Sequence, residues 1–95
     1  LILCGRRRDR LASLQERLSA HTEIHTLSFD VRDKDEVRKA FASLPEQWKN
    51  VDVLINCAGN AHGLDPIQTG SIDDWDAMID INVKGLLYVC HEIIF

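Results

Sequence analysis

Proline and glycine are scarce, with two and five among 95 residues, so the chain is neither collagen-like nor low-complexity. At 45% hydrophobic and 27% charged residues, it is not broadly disordered either. No apolar run exceeds a few residues, which excludes a transmembrane helix of about 20 residues and gives no expectation of a membrane partner. Nothing has the make-up of a signal peptide. Positive charge is not in excess: the formal net charge of −4 argues against a general nucleic-acid binder. Cysteines are few and odd in number. Cys4, Cys57 and Cys90 form no C-x-x-C, and each lies in an apolar stretch. They are read as buried, reduced thiols of a cytoplasmic protein. His21, His25, His62 and His91 lack metal-ligand spacing with carboxylates or thiols, so no metal site is expected. There is no Gly-x-Ser-x-Gly, no Walker loop and no paired-carboxylate motif.

What is present is a regular alternation. Residues 1–4 form a short apolar run ended by Gly5, as in a buried strand. Residues 6–20 carry Leu11, Leu14 and Leu18 on one helical face, with Asp9 near the start as a cap. Residues 24–31 are rich in β-formers and make a second strand. Asp33 and Glu36 form a D-x-x-E capping box ahead of Val37, Ala40, Phe41 and Leu44, and Pro45 closes that helix. Residues 51–57, nearly all apolar after Asp52, predict a third strand covered on both faces. A loop over 58–70 contains Gly59, Gly63, Pro66 and Gly70. Ser71 with Asp74 starts another helix with an apolar face of Trp75, Met78 and Ile79; Gly85 interrupts, and residues 86–95 continue as a helical segment.

The order β-α-β-α-β-α, with helix-length crossovers, predicts an α/β fold: a doubly wound parallel sheet with right-handed crossovers. Ligands of such sheets bind beyond the carboxyl ends of the strands. The first strand ends in Gly5-Arg6-Arg7-Arg8. A guanidinium suits bidentate capture of phosphate, and arginine at this position of a dinucleotide fold accommodates the 2′-phosphate of NADP. A solvated basic turn at a helix start is the plainer reading. The second strand ends in Asp30-Val31, which offers a carboxylate to an adenine amino group and a backbone N–H to a ring nitrogen, or is ordinary turn chemistry. The third ends in Asn56-Cys57-Ala58-Gly59, small residues that let a ligand approach the backbone or simply make a tight turn. Asn82 stands where the face Trp75, Met78, Ile79 calls for an apolar residue. A buried amide there must find partners, either capping a broken helix or holding water or a catalytic group. Tyr88 reads as a helix-packing aromatic.

Together these features resemble the short-chain dehydrogenase/reductase family. The residues that carry the resemblance are Leu3-Cys4-Gly5-Arg6-Arg7, Phe29-Asp30-Val31, Asp52-Val53-Leu54-Ile55-Asn56-Cys57-Ala58-Gly59 and Asp80-Ile81-Asn82-Val83-Lys84-Gly85, in the family's order and spacing. Leu44-Pro45-Glu46-Gln47-Trp48 and Ser71-Ile72-Asp73-Asp74-Trp75 resemble its branch of NADP-dependent 3-hydroxy acid (serine or allo-threonine type) dehydrogenases. The resemblance implies that Arg6 and Arg7 hold the 2′-phosphate of NADP, with NAD the less expected cofactor. Asp30 and Val31 would contact adenine, and Asn56, Cys57, Ala58 and Gly59 would line the ribose. The family usually has Asn-Asn-Ala-Gly there; Cys57 replaces the second Asn, so only a backbone contact is carried over. Asn82 would be the fourth catalytic residue, holding a water that links the active-site Lys to a proton relay.

Residue 1 is a leucine inside a strand-like run. The family's Gly-rich loop would precede it, and its catalytic Ser and Tyr-x-x-x-Lys would follow Phe95. The expectation is therefore that residues 1–95 are part of a single NAD(P)-binding Rossmann domain, without its first strand and catalytic half. Such a chain alone is expected neither to turn over nor to bind NADP tightly. The full protein would transfer a hydride between NADP and a small hydroxy acid or alcohol. It would form a homo-oligomer, tetramer or dimer, partly through the helices over 75–95. The alternative is a truncated, non-catalytic dinucleotide-binding or protein-interaction module.

Overall fold

The computed structural model describes residues 1–61 and 63–94. Two short strands, β1 (Ile2–Gly5) and β2 (His25–Ser28), pair in parallel with Ile2 opposite His25 and Gly5 opposite Ser28. Helix α1 (Arg8–Leu18) makes the crossover between them. After β2 come α2 (Lys34–Ala42), a single 3₁₀ turn (Glu46–Trp48), α3 (Ile72–Ile79) and α4 (Gly85–Ile94).

The local signals account for most of these boundaries. The Asp33 side chain accepts the N–H groups of Asp35 (3.0 Å) and Glu36 (3.1 Å) and so starts α2. Ser71 does the same for α3, accepting from the Asp74 N–H at 3.4 Å. Asp9 is not a cap. Arg7 occupies that position without a side-chain bond, and Asp9 lies inside the first turn, where its charge faces the positive end of the helix dipole.

The core forms between β2, α2 and α4. Leu27, Phe29, Val37, Phe41, Leu44 and Val89 are buried together, with Val37 fully so. The Phe29 and Phe41 rings meet at 5.5 Å and 60°, a tilted arrangement worth about 1 kcal/mol beyond the area it buries. On β1, Gly5 faces Leu11 of α1. Tyr88 packs against the core, as an aromatic of α4 should.

Two expectations need correcting. Residues 51–57 join no ladder: the sheet of the described residues has two strands. A strand exists only by pairing with a neighbour about 4.8 Å away, and neither β1 nor β2 supplies one to this segment. The in-out alternation survives, with Leu54 against the core and Val53 and Ile55 largely exposed. The cysteines are not uniformly buried. Cys4 and Cys57 are exposed and Cys90 is half-buried; all three are free thiols. Cys57 lies in the unpaired segment, and Cys4 lies on β1, exposed as a residue though its sulfur is partly packed. The Cα radius of gyration is 15.4 Å, against about 12 Å for a compact domain of this length.

No helix among the described residues is long and apolar enough to cross a membrane.

Candidate functional site

The segments singled out by the sequence gather at the carboxyl ends of the strands. The Phe29 N–H donates to the Gly5 carbonyl at 3.0 Å, and the Ser28 hydroxyl to the Arg6 carbonyl at 3.2 Å. These bonds set Gly5 and Arg6 beside Ser28 and Phe29. Arg6 and Arg7 are exposed, and among the described residues neither has an ion-pair partner.

Asp30 is differently placed. Its carboxylate accepts from the Arg32 Nε (3.1 Å to each oxygen), from Nη2 (2.6 Å) and from the Arg32 backbone N–H (3.0 Å). Hydrogen bonding from Arg32 holds the carboxyl below the usual carboxylate range, against a smaller opposing effect of desolvation; the charge of Arg6 pulls the same way as Arg32. The Asp30 N–H is taken by the Glu36 carboxylate at 3.0 Å, so Glu36 reaches past its own cap residue to the strand end. The Val31 N–H makes no hydrogen bond among the described residues, which leaves one backbone donor open there. Asp30 and Arg32 border a shallow hollow of about 470 Å³ with Tyr88 on its wall. A larger hollow of about 650 Å³ lies between Gln15, Ile24 and Trp48, at the opposite end of β2.

The helix is not broken at Asn82; it is widened. Residues Asp80–Lys84 form a π turn, in which the Gly85 N–H reaches back to the Asp80 carbonyl. Gly85 has ordinary helical angles, φ −58° and ψ −44°. Glycine is needed there for space: a Cβ would sit 2.7 Å from Val31 Cγ2 and 2.9 Å from Val31 Cβ. The π turn thus presses the start of α4 onto the end of the second strand, and π turns often mark functional sites.

Asn82 is exposed rather than buried, and its partner lies 22 residues earlier. Its Oδ1 accepts the Asn60 N–H and its Nδ2 donates to the Asn60 carbonyl, both at 2.8 Å. One side-chain amide therefore satisfies both backbone groups of Asn60, as a neighbouring strand would. Gly59 leaves room for it, since a Cβ there would lie 3.2 Å from Asn82 Oδ1. Asn56 donates to the Cys90 sulfur at 3.4 Å. Cys57, Ala58 and Gly59 are exposed beside it. Although Cys4 as a residue is exposed, packing around its sulfur pushes the thiol up to about 11, and Cys57 adds to the shift.

Arg32, Glu36, Asn60 and Cys90 have roles the sequence reading missed. Asp30-x-Arg32 was findable as a local acid–base pair; Glu36 bonds the Asp30 N–H six residues back, while Asn60 and Cys90 act across the fold. His62 lies outside the described residues. Among the described residues, no group of three His, Cys, Asp or Glu side chains is placed to hold a metal ion.

The short chain dehydrogenase family matches residues 1–94. The chain is 42% identical over 94 residues to the NADP-dependent 3-hydroxy acid dehydrogenase YdfG of Salmonella typhi, covering 99% of this chain and 37% of that protein. It superposes on the crystal structure of serine dehydrogenase from Escherichia coli with a TM-score of 0.90 and 39% identity, over 98% of this chain and 42% of that one. The closed form of serine dehydrogenase complexed with NADP+ gives a TM-score of 0.89 and 39% identity, over 97% and 36%. The chain thus spans less than half the length of these relatives. Its paired strands and helices match the N-terminal part of their Rossmann fold.

Proposed function

The chain belongs to the short-chain dehydrogenase family, and on that premise we propose that it forms the adenosine-binding side of an NADP-dependent oxidoreductase. The substrate class is a small hydroxy acid or alcohol, as the name of the Salmonella relative suggests. One observation carries the reading: Arg6 and Arg7 stand unpaired at the end of β1, next to the end of β2 that leads into Asp30 and Val31.

Two permanent cations without a carboxylate partner suit a 2′-phosphate. The free Val31 N–H suits an acceptor nitrogen of adenine, and the Asp30 carboxylate its amino group. Asn56, Cys57, Ala58 and Gly59 line the ribose with small or backbone contacts. Asn82 acts on this same loop by clamping Asn60, and so positions the 56–60 backbone. Each end of its amide makes one bond there, which leaves one Nδ2 hydrogen and one Oδ1 lone pair to hold a catalytic water. The nicotinamide of the bound cofactor carries the hydride.

The Gly-rich loop and the catalytic Ser, Tyr and Lys are assigned to parts of the protein outside residues 1–95. In a doubly wound sheet of order 3-2-1-4, β1 and β2 are the second and third strands in chain order. Residues 51–57 are then the fourth, and their partner is the strand that carries the Gly-rich loop. The unpaired segment and the large radius of gyration support this reading. A homo-oligomer, dimer or tetramer, is supported by the half-exposed apolar row Ile79, Val83 and Leu86 along α3, the π turn and α4.

The test is Arg6→Asp combined with Arg7→Ala in the full-length protein, with cofactor preference measured from kcat/KM. A shift of preference from NADP towards NAD is expected. An unchanged ratio defeats the assignment.

A further inference from the structure

Two arginines act on one carboxylate where β1 and β2 end. The Ser28 hydroxyl bonds the Arg6 carbonyl and the Phe29 N–H the Gly5 carbonyl, so Arg6 lies beside the segment that leads into Asp30, and its charge acts on that carboxylate. Left to itself, an aspartate in this place is the obvious partner for Arg6, because a charge-assisted pair between neighbouring strand ends needs little rearrangement. The structure shows another pairing. Arg32, two residues along the same turn, grips both oxygens of Asp30 through Nε and Nη2, at 2.6 to 3.1 Å. The Arg32 backbone N–H closes the same ring at 3.0 Å. The negative charge of Asp80 in the π turn favours the Arg32 guanidinium further, as the smallest of these effects.

We infer that Arg32 is a specificity-determining residue: by occupying the Asp30 carboxylate it keeps that acid from neutralising Arg6, and so leaves Arg6 and Arg7 free for a 2′-phosphate. The inference rests on the reading of those two arginines as phosphate-binding. Arg32 acts through Asp30 and is a positioning residue. Without it, the carboxylate turns to Arg6, and a phosphomonoester must compete with an internal anion for the same guanidinium. NAD, which has only a hydroxyl there, loses nothing by that competition.

The experiment compares dissociation constants for NADP and NAD in the full-length wild type, Arg32→Gln, and Arg32→Gln combined with Asp30→Asn. Asparagine keeps an acceptor for the adenine amino group but carries no charge. Arg32→Gln should lower the preference for NADP over NAD roughly three- to tenfold, the scale of one partly exposed charge contact. The added Asp30→Asn should return the ratio to the wild-type value. A merely structural role for Arg32 predicts no such rescue. An unchanged ratio in Arg32→Gln, or a loss that Asp30→Asn does not restore, overturns the inference. If Arg32→Gln does not fold, Arg32→Lys replaces it, with a smaller shift in the same direction expected and an unchanged ratio counting against the role. A wild type with no preference for NADP defeats instead the reading of Arg6 and Arg7.

Discussion

Replacing Gly85 by alanine adds one methyl group at the point where the π turn meets the second strand end. The new carbon would lie 2.7 Å from Val31 Cγ2, 2.9 Å from Val31 Cβ and 3.3 Å from the Val31 carbonyl oxygen. Carbon atoms pack best at about 3.5–4.0 Å, so α4 and the Asp30–Val31 turn must separate by roughly 0.8 Å. Neither side yields readily: Gly85 is buried, and Val31 packs against the core. Overpacking of this kind costs about 1–3 kcal/mol. The backbone angles are helical, so alanine gains back at most about 1 kcal/mol of helix propensity. The expected net loss is on the order of 1–2 kcal/mol, read as a lower urea midpoint with unchanged slope in the full-length protein. Val31→Ala removes the 2.7 Å clash but leaves the 2.9 Å one. The double mutant should therefore recover part of the loss, with a coupling of about 1 kcal/mol. A Gly85→Ala protein as stable as wild type, or more so, refutes the account of why glycine stands there.

Asn82→Ala removes both 2.8 Å bonds to Asn60. At about 1–2 kcal/mol, the exchange of the Asn60 amide with deuterium should speed up about 5- to 30-fold; an unchanged rate would mean that the clamp does not hold the loop. The Cys4 thiol, raised from 9.0 to about 11, stays neutral at neutral pH, and its alkylation should rise with a midpoint about two pH units above that of a free thiol. Because the folded state keeps this proton longer than the unfolded one, the contribution is full below pH 9 and is lost as pH rises towards 11. A Cys4 alkylation midpoint near 9 would show that the thiol is not desolvated.

What the sequence disclosed follows the range of the forces involved. Asp33 and Ser71 could be recognised as helix starts because each bonds to an N–H two or three residues away. Residues 51–57 could not be judged in the same way, since an apolar alternation shows which side chains turn inward but not whether a partner strand is present. Asn82 was conspicuous as an amide on an apolar face, yet its partner is remote in sequence, and only the folded chain brings Asn60 within 2.8 Å. Gly85 suggested a break because glycine weakens helices. The helix instead runs on with one wider turn, and the glycine serves the close approach of Val31. The Asp30 carboxylate was legible as a site residue, but not that Arg32 already holds it.

The most direct test of the central claim is equilibrium binding of NADP and NAD to the full-length protein, with 2′,5′-ADP and 5′-AMP as competitors. The two competitors differ only in the phosphate that Arg6 and Arg7 are assigned to hold. NADP should bind at least about tenfold more tightly than NAD, as befits charge-assisted bonds from two arginines, and 2′,5′-ADP should displace it better than 5′-AMP by a similar factor. Equal affinities within each pair would contradict the assignment of the strand-end arginines.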